Sequence, residues 1–154
     1  MTPVDRKARR QIADALRAFA AGQITNDEFE ERWPDSDDPL VRVAEDYGWC
    51  LYPDHKPVFA KGEYALSKTA KAEIARLVLM LRSDKGFPWP RPEPSKTLNM
   101  LTLGSARRRW ARTHGEKAKA MDLASWPFTS RQALKREAKE QAESWGRLLR
   151  EPLN

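Results

Sequence analysis

Prolines at 88, 90, 92 and 94, in the stretch FPWPRPEPSK, divide this chain more firmly than any other feature. Each removes a backbone donor and fixes φ, so neither an α-helix nor a central strand can run through residues 87–95. The segment predicts an extended, polyproline-type strap. Its spacing of two is not the P-x-x-P pattern that SH3-type domains read. It reads as a stiff connector, with Phe87 and Trp89 pinned on the core that precedes it.

Charge divides at the same place. Residues 1–86 carry 14 Lys and Arg against 15 Asp and Glu, a net of −1, whereas residues 87–154 carry 14 against 7, a net of +7. The two parts are therefore read separately. With 40% hydrophobic residues and six tryptophans in 154 positions, the chain can bury a core.

Helix punctuation in the first part is dense. Thr2 predicts a cap with Pro3 in the first position and Asp5 in the first turn, followed by Val4, Ala8, Ile12, Ala15, Leu16 and Phe19 at helical spacing until Gly22. Thr25 and Glu28 have capping-box spacing, with Ile24 and Phe29 placed as a hydrophobic staple, and Pro34 stops that short helix. Asp38 and Pro39 open a third helix with the stripe Leu40, Val43, Ala44, Tyr47, Cys50 and Leu51, which puts Cys50 in the core. Residues 53–66 are irregular, with a small hairpin expected near 57–66 around Lys61-Gly62. Ser67 caps a long helix bearing Ala70, Ile74, Leu77, Val78 and Leu81 on one face. Leu79 and Met80 point elsewhere, so this helix is either central or offers a second face to a partner.

Three stretches, ITNDEFEERWPDSDDP, MLRSDKGFPWP and DLASWPF, resemble segments that recur in short, uncharacterised bacterial proteins. The resemblance implies a bacterial or phage origin and brings no activity with it.

After the strap the spacing predicts a helix over about 97–113, a loop through DLASWPF, and a final helix. Thr129 and Gln132 form a candidate capping box for the last, whose stripe is Leu134, Ala138, Ala142, Trp145 and Leu149. Trp126-Pro127-Phe128 reads as a wedge that staples this part to the first. In SARRRWART, Trp110 shares the apolar side with Leu103 and Ala106, while Arg108, Arg109 and Arg112 lie opposite and Arg107 flanks the tryptophan. With Lys117 and Lys119 these arginines make a cationic ridge, a candidate phosphate-binding surface whose bland alternative is a solvated helix face. Charge on the final helix is largely self-compensated at Arg136/Glu140, Lys139/Glu143 and Glu143/Arg147.

Several chemistries lack their raw material. The single cysteine excludes an intramolecular disulfide, and a nucleophile–base pair of Cys50 and His55 would need a residue that the stripe buries. Cys50, Asp54, His55 and His114 have no recognised metal-ligand spacing. No Gly-rich phosphate loop, G-x-S-x-G or H-E-x-x-H is present, so neither cofactor nor metal is expected. LSKTAKAEIARLVLML runs on without the interior turn of a helix-turn-helix. The longest aliphatic run, LVLML, falls far short of the ~20 residues that span a bilayer. Asp14 and Arg17 interrupt the N-terminal apolar segment, which argues against a signal peptide.

The expectation is an all-α protein. It has a core of about four helices over 1–86, a proline connector over 87–95, and a basic helical part over 96–154 packed on that core. Its expected role is a non-catalytic accessory or regulatory binding protein of the cytoplasm. It would engage nucleic acid or another anionic surface through Arg107, Arg108, Arg109, Arg112, Lys117 and Lys119. The alternative is a protein-binding inhibitor or immunity-type module acting through Leu79, Met80, Trp89 and Trp126; a membrane partner is not expected.

Overall fold

A computed structural model of the chain describes residues 4–53, 55–89 and 121–148, with side chains as far as Ser144. The fold is all-α. Among the described residues its helices are α1 (Arg6–Ala20), α2 (Asn26–Glu30), α3 (Pro39–Trp49), α4 (Lys68–Leu81) and α5 (Arg131–Leu148), with 3-10 turns at Gly62–Tyr64 and Leu123–Ser125. α1 packs on α2, α3 and α4, while α4 also touches α3 and α5. Ile12, Leu16, Phe19, Phe29, Leu40, Leu77, Leu81 and Phe128 make the centre of the core.

Local chemistry explains most boundaries. Thr25 and Glu28 form the reciprocal capping box, with Ile24 and Phe29 both buried beside it. Asp38 caps α3 through the Leu40 N–H, and Ser67 caps α4 through the Ala70 N–H. α1 ends in a Schellman closure: the Gln23 N–H reaches the Ala18 carbonyl at 2.9 Å and the Gly22 N–H the Phe19 carbonyl at 2.8 Å. Gly22 takes φ +65 there, the left-handed region that glycine enters without a Cβ penalty.

Other expectations are corrected. α1 is capped by Asp5, whose carboxylate takes the Ala8 N–H at 3.0 Å; Thr2 and Pro3 lie outside the described residues. Asp5 is held out of the helix by tertiary bonds, its N–H donating to Asp38 and its carboxylate accepting from the Ser36 hydroxyl. Residues 57–66 form no hairpin: Phe59 bridges Thr25, and Val58 exchanges hydrogen bonds with Asn26. The loop is thus pinned to the start of α2 rather than to itself.

Cys50 is exposed, not buried. It is the C-cap of α3, still in the αR region, and the buried line of that helix is Leu40, Val41, Ala44 and Gly48, from which helical spacing turns Cys50 away. Met80 is buried, because α4 is central and receives Phe128 and α5 on its second side. The cap of α5 is Ser130, whose hydroxyl takes the Ala133 N–H, one residue beyond the expected Thr129. α5 seats Leu134 on the core as expected but turns Glu137 and Gln141 inward beside it and leaves Ala138 and Ala142 exposed; Leu149 and the Trp145 side chain lie outside the described residues. Glu137 pairs with Lys85, and the Gln141 amide reaches the Leu79 carbonyl at 2.9 Å. Polar contacts thus choose the face.

The wedge is present as expected. Pro127 and Phe128 are buried, Trp126 lies 5.4 Å from the Tyr47 ring, and its carbonyl accepts from Arg76. Among the described residues no helix is long and apolar enough to cross a membrane.

Candidate binding surface

A clasp sets the frame for the surface. Arg9 is 1% exposed and donates to both Asp38 oxygens, at 2.6 and 3.0 Å, and to the carbonyls of Ser83 and Lys85. Asp38 also accepts the N–H groups of Asp5 and Leu40. Such a bidentate, fully bonded pair locks the start of α1 to the start of α3 and to the loop after α4. Its atoms are committed to one another and offer nothing to a ligand.

The outer side of the α1/α4 pair is different. The two helices run antiparallel, since Arg6 pairs with Asp84 at 2.6 Å and Arg82 with Asp14 at 3.1 Å. Two hollows lie along the seam and share the Asp14–Arg82 pair. One, of about 410 Å³, is lined by Arg6, Arg10, Arg82 and Asp84, with Gln141 and Ser144 of α5 on its far wall. The other, of about 800 Å³, lies between Arg17 on α1 and Lys71 on α4 over a floor of small apolar side chains. Together they form one furrow with five cations and two carboxylates.

Those carboxylates are already engaged. Asp84 is held below the ordinary carboxylate range, chiefly by its hydrogen bond from Arg6, which is in turn raised. Arg10, Arg17 and Lys71 are exposed and make no ion pair or side-chain hydrogen bond among the described residues. Arg10 still acts on Asp84 through space, so Arg17 and Lys71 are the furrow's least compensated charges. From Arg6 to Arg17 the helix rises roughly 16 Å, the axial length of about five nucleotides of one strand.

The residues singled out from sequence fare differently. Arg107, Arg108, Arg109, Arg112, Lys117 and Lys119 lie outside the described residues, as do Asp54 and His114. Leu79 is half-buried, Met80 is 2% exposed, and Trp89 donates its indole N–H to the Pro127 carbonyl at 2.7 Å. With Trp126 on Tyr47, these four side chains serve internal packing. Among the described residues the exposed large hydrophobics are Trp49, Phe59 and Leu123. Cys50 and His55 are both exposed, and among the described residues no three His, Cys, Asp or Glu groups converge to hold a metal.

Sequence reasoning missed Arg10, Arg17 and Lys71. A signal existed: Arg6, Arg10 and Arg17 are four and seven apart, and Lys71 and Arg82 eleven apart, all close to whole helical turns. The near-neutral sum over residues 1–86 hid it, because opposing charges lie on other faces. Compared with known proteins, the chain matches no family model, no curated protein and no solved structure.

Proposed function

We propose that this chain is a non-catalytic accessory or regulatory binding protein of the bacterial or phage-infected cytoplasm, and that it engages an anionic partner along the α1/α4 furrow. The observation that carries the reading is the set formed by Arg10, Arg17 and Lys71, three exposed cations on one seam that make no direct ion pair among the described residues. Unpaired cations over low-dielectric walls raise the local concentration of anions and speed their encounter. Nucleic acid and an acidic protein surface both supply the required charge. Arg107 to Lys119 add charge of the same sign in the sequence.

The test is fluorescence anisotropy with two labelled probes, a nonspecific duplex and an acidic peptide, across a salt series. Binding that weakens with salt, and weakens further in the Arg10→Gln/Arg17→Gln/Lys71→Gln variant, is the expected result. Absence of binding to either probe near ~50 mM salt, where screening is modest, would sink the reading. Arg108→Gln/Arg109→Gln/Arg112→Gln, measured in parallel, separates the contribution of the C-terminal ridge.

A further inference from the structure

One half of the furrow has a floor as well as a rim. Between Arg17 and Lys71 the floor includes Ala18 and Ala20 of α1, its C-cap Ala21, and Ile74, Ala75 and Val78 from α4. Ala21 and Ala75 are exposed, while Ile74 and Val78 are 4% and 9% exposed and belong to the core below. Above this methyl surface stand Arg17, Lys71 and Arg82, against Asp14 alone, and Asp14 is taken by Arg82.

We infer that this half of the furrow is the seat of an acidic amphipathic α-helix from a partner protein. The inference rests on the proposal that the furrow takes an anionic partner. Three observations choose a helix over nucleic acid. None of the residues lining this half is aromatic, so bases would have no stacking platform there. The floor carries methyl and methylene groups, which cannot read base edges and would strip water from phosphates without replacing it. A groove between two antiparallel helices is itself the complement of a third helix's ridge, the geometry of helix-in-groove recognition. Lys71 to Arg82 spans eleven residues, roughly 16 Å, so the occupant is about three turns long. Its ridge would be apolar at i, i+3, i+4 and i+7, with carboxylates on both flanks to meet Arg17 on one side and Lys71 on the other.

The experiment uses the full chain and three labelled probes. These are a peptide of about 15 residues with a leucine ridge flanked by glutamates, a scrambled peptide of identical composition, and a nonspecific duplex. The amphipathic peptide should bind at least about tenfold tighter than its scramble, a gap of about 1.4 kcal/mol. Ala75→Gln, a neutral change at an exposed floor position, should remove about tenfold of that affinity. If scramble and peptide bind equally, if the duplex binds tighter than the peptide, or if Ala75→Gln has no effect, the helix seat is wrong while the anionic reading stands. If none of the three probes binds, both fall.

Discussion

Gly48 lies inside α3, where alanine is ordinarily the better helix former by about 0.5–1 kcal/mol. Here an added Cβ would meet the Phe29 ring at 2.6 Å, and Phe29 is 0% exposed. Overpacking of a core costs about 1–3 kcal/mol, which outweighs propensity. Gly48→Ala should therefore lower stability by about 1–2 kcal/mol in urea unfolding; a gain would mean that the ring has room to move. Tyr47 provides a pH test. Its hydroxyl donates to Glu73 at 2.6 Å, and burial, then the carboxylate, push its pKa above the ordinary value of 10.0. A group whose folded pKa is raised stabilises fully below the unfolded value and loses that contribution as pH climbs through the folded one. Stability should thus fall above pH 10, and Tyr47→Phe, though less stable near neutrality, should show a flatter alkaline limb. Asp38→Asn would leave the Arg9 guanidinium buried without its counter-charge, at a cost of about 3–5 kcal/mol in the same urea assay.

At the scale of elements, what could be read in advance was what neighbours in sequence decide. The caps at Thr25, Asp38 and Ser67 and the stop at Gly22 depend on side chains within four residues, and all four are where spacing puts them. Asp5 and the inner face of α5 depend on groups about 30 to 60 positions away, and there periodicity pointed elsewhere. α5 shows why. Glu137 is 4% exposed and pairs with Lys85, whose amine it holds above the usual lysine range. The alanines that resembled a stripe face outward. Only Ala133 and Leu134 of its described side chains join the apolar core, so α5 is held largely by polar bonds. Glu137→Ala should accelerate amide exchange across residues 131–148 while α1 keeps its protection; equal acceleration in both would mean that α5 and α1 open as one unit.

Viewed as a whole, the molecule separates its charges by face rather than by total. Residues 25–46 hold nine acids and two bases around α2 and α3, whereas the α1/α4 furrow holds five bases and two acids. Net charge along the sequence averages these away; the helical spacing of Arg6, Arg10 and Arg17 marks one rim, and only the pairing of α1 with α4 brings the two rims together. For a duplex, each neutralised phosphate contributes about −0.9 to the log–log salt slope. Replacing Arg10, Arg17 and Lys71 by Gln should therefore flatten the duplex slope by about two to three. An unchanged slope would assign duplex contact to the arginines at 107–112 instead.

The Arg9 clasp also sets a timetable. Arg9 and Asp38 leave the ribosome early, yet two of the four acceptor contacts of the guanidinium are carbonyls of Ser83 and Lys85. At about 5–20 residues per second, the 47 residues between Asp38 and Lys85 take roughly 2–9 s to synthesise. Through that interval α1 and α3 are exposed as an incomplete pair, their shared face lacking α4. A nascent chain stalled before residue 85 should be open to protease within α1, and one stalled well after it should be resistant.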